Sequence, residues 1–373
     1  SATDAFLAEV RAQGVDAAFF GMATKYAEGV LAVKYREVDD QGNISGGPMY
    51  YIKNGLGDKW KPLGTLFAIF GVLVAYFGIG TFAQVNSIID IANITFGVSP
   101  YVVGGIITVL VTAITLGGLQ SIAKTAEKII PTMAVLYFLV TVSILVIFAD
   151  QIPNAVYQII HDAFTPTAAT GGFLGATVML AMRSGIARGV FSNESGLGSA
   201  PIVAAAAKTK WPAEQGLISM TGTFIDTIII CTLTGLTLVV TGVWKGDLNG
   251  AALTNAAFAQ AYPAFGSYLL CACLALFAFT TILGWNYYGE RCMIYLAGTK
   301  AILPYRIVFI LLIASAAFLK LEVIWTLADI VNGLMAIPNL IALIGLSGVV
   351  VAETRRFNEH VKEEESKTEK EIA

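Results

Sequence analysis

Residues 182–201 read MRSGIARGVFSNESGLGSAP and sit inside one apolar run, Gly172 to Ala207. At 36 residues that run is too long to cross a bilayer once, since about 20 residues suffice. Its centre carries glycines at 185, 189, 196 and 198 among Arg183, Arg188, Ser192, Asn193, Glu194 and Ser195. Lipid neither hydrogen-bonds a broken backbone nor hosts that many polar groups, so the segment must face protein or a water-filled cavity. A discontinuous helix near mid-membrane is the simplest account. Such breaks free N–H groups for anions and carbonyls for cations. The competing account is a kinked structural helix held by an Arg188–Glu194 ion pair.

The rest of the chain supplies the membrane context. Of 373 residues, 56% are hydrophobic and only 13% charged. Mean hydropathy is +0.72. A soluble chain carries about a quarter charged residues, so a soluble globular protein is excluded. Seven further runs have spanning length: Leu63 to Ile88, Pro100 to Leu119, Ile130 to Ala149, Ile218 to Val243, Gly266 to Leu296, Ile302 to Leu319, and Val323 to Val351. With Gly172 to Ala207 they predict eight full spans. Ala17 to Val33, interrupted by Lys25 and Glu28, reads as the inner end of a further helix. Between the spans, AVYQIIHDAF (155–164) predicts a surface helix and TNAAFAQAY (254–262) a re-entrant lid.

Charge placement gives orientation. Alternate loops hold 18 of the 23 Lys and Arg, which puts the Arg36 to Lys61 loop and the C-terminus in the cytoplasm. The net charge of −3 gives no reason to expect nucleic acid. Two histidines outside the apolar runs, His161 and His360, leave no basis for a histidine metal site or a Ser-His-Asp triad. No Walker A loop is present to support ATP-driven pumping. Cys231, Cys271, Cys273 and Cys292 read as small buried hydrophobes.

Further candidates lie in other spans. In FAFTTILGWNYYGERC (277–292), Thr280 and Thr281 are adjacent hydroxyls, and Trp285 follows Thr281 by one turn on the same face. Hydroxyls and main-chain carbonyls are the neutral oxygens an alkali cation takes, although a membrane threonine also bonds its own backbone four residues back. In FAQVNSIID (82–90), Gln84 and Asn86 offer amides to a zwitterion or to a neighbouring helix. Asp226 and Asp329 are intramembrane carboxylates whose default reading is coupling or gating, with pairing to Arg183 or Arg188 as the alternative. An intramembrane enzyme would need Asp226 and Asp329 to face each other, and neither lies in a catalytic motif.

Four blocks carry a family resemblance: ATKYAEGVLAVKYRE (23–37), GGPMYYI (46–52), RGVFSNESGLGSAPIVAAAAKT (188–209) and SMTGTFIDT (219–227). They resemble the alanine/glycine:cation symporter family, also called the sodium:alanine symporter family, of the amino acid–polyamine–organocation superfamily. The resemblance implies an all-α membrane protein with the leucine-transporter-like fold. That fold is an inverted-repeat helical bundle of two five-helix repeats, with substrate and sodium held between broken helices. It implies sodium-coupled symport of alanine or glycine, no organic cofactor, and no enzyme activity. Phe277 (by its carbonyl), Thr280 and Thr281 resemble the sodium site. Gln84, Asn86, Gly185, Ile186, Gly189, Phe191, Thr281 and Trp285 resemble the substrate pocket. Arg183, Arg188, Glu194, Asp226 and Asp329 are left as coupling or gating groups.

Family members carry a glycine-rich broken helix before FFGMATKYAE, whereas about 18 unrelated residues precede that block here. The resulting expectation is an atypical leader (1–16), an incomplete first repeat (17–149) lacking its first core helix and part of its second, an outer loop (150–171), a complete second repeat (172–351) and a charged cytoplasmic tail (352–373). An alternative follows, in which the chain is a truncated or partner-dependent fragment without transport of its own.

Overall fold

The computed structural model describes residues 20–38, 42–78, 80–164, 185, 188–248, 250–318 and 321–372. The expected leader, Arg183 and Ile186 lie outside the described residues, as does most of Gly172 to Ala187.

Helix α1 spans 20–34. A two-residue hairpin, β1 (Glu37–Val38) against β2 (Ile44–Ser45), leads to α2 (Pro48–Tyr51) and a π turn over Ile52–Leu56. Then come α3 (Lys61–Phe77), α4 (Phe82–Phe96), α5 (Pro100–Leu116), α6 (Gly118–Ile147) and α7 (Ile152–Phe164). After the short α8 (188–193) follow α9 (Ala200–Ala204), α10 (Pro212–Thr223), a π stretch (Phe224–Cys231) and α11 (Thr232–Thr241). The remaining helices are α12 (Gly250–Ala261), α13 (Gly266–Ala297), α14 (Ile302–Ser315), α15 (Leu321–Gly345) and α16 (Ser347–Ile372).

Sequence punctuation sets many of these limits. Proline enters the first turn of α3, α5 and α10, where its missing N–H costs nothing. Left-handed Gly97 and Gly242 stop α4 and α11. Among the described residues, six helical stretches are long and apolar enough to cross a membrane: Asp58–Phe96, Ser121–Ile147, Pro212–Thr241, Gly266–Ala297, Thr299–Phe318 and Thr326–Gly345. Pro100–Leu116 is apolar but shorter. The chain is therefore an all-α multi-pass membrane protein. The count differs from eight because the 172–207 run is described only from Arg188 onward, apart from Gly185, and because α5 falls short of spanning length.

Leu63 to Ile88, read from sequence as one span, is two helices. α3 stops at Gly78, and α4 begins after Thr81, whose hydroxyl donates to the Ala75 carbonyl. That bond satisfies one of the carbonyls left free at the helix end. The expected surface helix is found helical as α7, and the stretch expected as a re-entrant lid is the helix α12.

α13 is the axis of the bundle and packs against α3, α4, α6, α12 and α14. Around it a buried core gathers Phe67, Val74, Phe82, Ile282, Trp285, Tyr305 and Phe309. α15 lies along α3 and α4 and is two-faced. Ile330, Ile337 and Ile344 are exposed along one side, at the seven-residue spacing that suits a lipid contact, while Asn332 and Asn339 are buried on the other.

Candidate functional site

The 188–209 block is a broken helix, and its backbone shows how the break is made. α8 ends at Asn193, whose side-chain Oδ1 accepts the Ser195 amide at 2.9 Å. Glu194 then adopts φ 56°, a left-handed conformation uncommon outside glycine, and Gly196 and Gly198 follow at φ 79° and 83°. The two glycines take this conformation without the Cβ clash that any other residue meets. α9 resumes at Ala200.

A break of this kind leaves main-chain groups without helical partners, and side chains from two distant helices supply them. The Gly198 amide donates to Glu28 Oε1 of α1 at 3.1 Å. Asn339 of α15 donates through Nδ2 to the same Oε1 at 2.7 Å and to the Gly196 carbonyl at 2.9 Å. Tyr51 of α2 donates to the Asn339 Oδ1. Glu194 is closed locally, Ser199 donating to its Oε2 at 2.6 Å. Three elements thus converge on one turn. Glu28 is 1% exposed and Asn339 fully buried.

A second layer ties α8 to the π stretch. Ser192 donates to both Asp226 oxygens, at 3.0 and 2.8 Å, and Asn193 donates to Thr227 at 3.0 Å. Ser195 and Thr223 share a hydrogen bond of 3.3 Å. Wide π turns recur at functional sites, and here one places Asp226 against Ser192. Lys25 of α1 is the cation whose field reaches Glu28, Glu194 and Asp226 together.

At the other end of α8, Arg188 makes a fork with Asp329 of α15, Nη2 reaching its two oxygens at 2.8 and 2.6 Å. Both side chains are about half exposed, and the guanidinium also lies 4.9 Å above the Phe191 ring. Arg188 also borders a cavity of about 740 Å³, lined further by Ser87, Asp90, Asn93 and Gly250. Arg188 therefore pairs with Asp329 and not with Glu194. Asp226 and Asp329 have separate partners and do not form a facing pair.

The remaining sequence candidates fall into two groups. On α13, the Phe277 carbonyl accepts from both Thr280, at 3.0 Å, and Thr281, at 2.9 Å. Thr280 is buried and also approaches Met133 of α6, whereas Thr281 is half-buried one turn from Trp285. Asn86 spans from its own helix to the end of α14, donating to the carbonyls of Phe82 and Ala316 at 3.0 and 3.2 Å. Gln84 is half-buried. Gly185 and Gly189 border open space, since a Cβ at either meets nothing within 4 Å. Trp285 is 1% exposed and so close to Gly80 that a Cβ there would overlap its ring. Its indole N–H stands near Glu194 but closes no hydrogen bond.

Sequence reasoning missed the inner half of this arrangement: Lys25, Glu28, Tyr51, Ser199, Thr223 and Asn339. The signal was present for two of them. Lys25 and Glu28 are charges three apart on one helical face in an otherwise apolar run, a pattern that marks a functional site by default. For Asn339 the hint is an amide directly after the helix-interior Pro338.

Comparison with known proteins places this geometry in a family. The model of the sodium:alanine symporter family matches residues 15–371. The chain is 55% identical over 347 residues to an uncharacterized transporter of Haemophilus influenzae, an alignment covering 92% of this chain and 76% of that protein. It is 50% identical over 353 residues to the sodium/alanine symporter AgcS of Methanococcus maripaludis, covering 93% of this chain and 77% of AgcS. The chain belongs to the sodium:alanine symporter family, and it is accordingly a membrane transporter.

Proposed function

We propose that the chain carries small neutral amino acids, alanine or glycine, across the cell inner membrane with sodium, by alternating access. The supporting observation is the 188–199 segment itself. It is a broken helix whose one end meets a cavity at Arg188, which pairs with Asp329, and whose other end is closed by Glu28 and Asn339. Opening one end while the other stays closed is what alternating access requires. The 50% identity to a sodium/alanine symporter supports the choice of solute and ion.

On this reading the solute lies beside the break. Gly185 and Gly189 present backbone, Phe191 and Trp285 bound its size, and Gln84, Asn86 and Thr281 offer polar groups; Ile186 is assigned to the same pocket by the resemblance alone. The Phe277 carbonyl with the Thr280 and Thr281 hydroxyls contributes to sodium binding. A hydroxyl that donates to its own helix keeps lone pairs for a cation. Arg183, Arg188, Glu194, Asp226 and Asp329 act in coupling or gating. The basic loops and the C-terminal helix lie in the cytoplasm, and the two halves of the core are inverted repeats.

Coupling needs sodium and amino acid to favour the same state, each raising the other's affinity by an equal factor. Labelled alanine uptake into proteoliposomes tests this directly. An inward sodium gradient accelerates uptake; uptake indifferent to sodium would overturn the proposal.

A further inference from the structure

The inner cluster has a charge imbalance and an asymmetric hydrogen-bond pattern, and together they point to a ligand beyond the amino acid and sodium. Among the described residues, three carboxylates, Glu28, Glu194 and Asp226, share the field of one cation, Lys25. Glu194 and Asp226 each keep hydroxyl donors, from Ser199 and Ser192. Glu28 does not. Both of its donors, the Gly198 amide and Asn339 Nδ2, fall on Oε1, while Oε2 is buried without a hydrogen-bond partner among the described residues.

A buried carboxylate spreads its charge over two oxygens, and both need donors; leaving one bare in a low-dielectric interior is among the costliest arrangements a protein makes. A carboxylic acid is different. Its carbonyl oxygen accepts, as Oε1 does from both donors, and its other oxygen holds the proton; a neutral hydroxyl at Oε2 without a partner costs far less than a bare carboxylate oxygen there. A metal ion at this point would need several converging oxygens, and no group of three or more His, Cys, Asp or Glu suited to a metal occurs among the described residues.

We propose that Glu28 is a proton-binding site of the transport cycle, the proton residing on Oε2. The charged and titratable groups facing it are Lys25 on its own helix, Glu194 from the broken segment and Tyr51 from α2, with the neutral Asn339 from α15. Lys25 stands one turn away and lines a cavity of about 430 Å³ with Ala204, Ala207, Gln215 and Ser219. That cavity reaches the cluster at Lys25. When sodium enters the broken-helix region its charge favours the carboxylate, and Glu28 gives up the proton from Oε2 to water, which carries it out past Lys25. Oε1 keeps its two donors throughout, so the turn at 194–199 is held in both states.

The transport cycle in this statement rests on the symport reading, but the proton site is measurable without transport. The full chain, purified in detergent and weakly buffered with a pH-indicator dye, receives sodium chloride and alanine, with choline chloride as the control. The expected result is release of close to one proton per chain with sodium and none with choline. Glu28→Gln, which retains an oxygen to accept from Gly198 and Asn339, lowers the release several-fold and flattens the pH profile of alanine uptake. An equal release from Glu28→Gln, or none from the unmodified chain between about pH 5 and 9, overturns the proposal. Should Glu28→Gln fail to fold, the infrared difference spectrum of the unmodified chain with and without sodium and alanine decides the same point. Loss of a carboxylic-acid carbonyl band supports the proposal, and its absence sinks it. Dye release without sodium-driven alanine uptake would remove the symport reading and leave the proton site. Normal uptake with unchanged release in Glu28→Gln would do the reverse.

Discussion

The two ends of the broken segment are built from the same parts and set in opposite surroundings. At each end an ionisable side chain is held by a polar residue of α15: Arg188 by Asp329, and Glu28 by Asn339. Arg188 and Asp329 are about half exposed, Arg188 beside a large cavity, whereas Glu28 and Asn339 are almost wholly buried. An exposed pair is solvated before and after it breaks and contributes about 0–1 kcal/mol. A buried cluster stripped of one member strands the others in a dry interior, at about 3–5 kcal/mol. The Arg188 end is thus easy to open and the Glu28 end hard. An alternating cycle built on this segment needs help to open the second, and a change of charge at Glu28 supplies it.

The largest expected effect tests that inequality at its strong end. Asn339→Ala removes at once the partner of Tyr51, one of two donors to Glu28 and the donor to the Gly196 carbonyl. We expect a loss of about 3 kcal/mol or more in stability, read as a fall in melting temperature of the detergent-solubilised protein. A melting temperature within a degree or two of the unmodified chain would show that the cluster is not the tight end.

A second test concerns the wall between the core and the break. Gly80 lies so near Trp285 that a built Cβ overlaps the ring. Gly80→Ala must displace Trp285 or the α3–α4 junction, at about 1–3 kcal/mol. Because Trp285 stands near Glu194, displacement should also weaken alanine uptake at limiting concentration. Lower stability with unchanged uptake kinetics would separate Trp285 from the solute path.

The sequence disclosed this comparison only in part, and the reasons are physical. α13 was read almost end to end because a long apolar run stopped by glycine admits one structure: Gly266 to Leu296 was expected and Gly266–Ala297 is found. The break at 194–199 was legible because glycines and charges inside an apolar run conflict with a continuous helix. The break between α3 and α4 was not. Hydropathy runs unbroken through FGIGTF (77–82), and the capping bond from Thr81 to Ala75 shows only in three dimensions. The partners were less legible. Pairing of Asp329 with Arg188 stood as an alternative and is found, whereas Asp226 takes Ser192, 34 residues away, which no local pattern encodes.

The weak end gives a smaller effect in stability and a distinct one in kinetics. Arg188→Gln removes the fork to Asp329 and the contact with Phe191. Stability should change by less than about 1 kcal/mol, since both partners are already solvated. If the pair gates the cavity, uptake rates should change several-fold and lose part of their ionic-strength dependence, because salt screens exposed charges and not buried ones. Rates and salt response equal to the unmodified chain would leave the pair without a gating role.

The smallest effect on stability, and the sharpest on function, is expected away from both ends, at Thr281. Its hydroxyl donates to the Phe277 carbonyl of its own helix at 2.9 Å, so Thr281→Val removes a bond worth little to the fold, about 0.5 kcal/mol. If the hydroxyl is also a sodium ligand, the sodium concentration for half-maximal uptake rises about tenfold, which corresponds to about 1.4 kcal/mol of binding, while the maximal rate at saturating sodium changes less. Thr280→Val is the internal control. Thr280 donates to the same carbonyl but turns toward Met133 and is buried, so a sodium effect confined to Thr281→Val places the ion on the Trp285 side of α13. Equal effects from both would place it between them, at the Phe277 carbonyl. No effect from either removes this stretch of α13 from the sodium site and leaves the cluster around the broken segment, Glu28, Glu194, Asp226 and Lys25, as the next place to seek it.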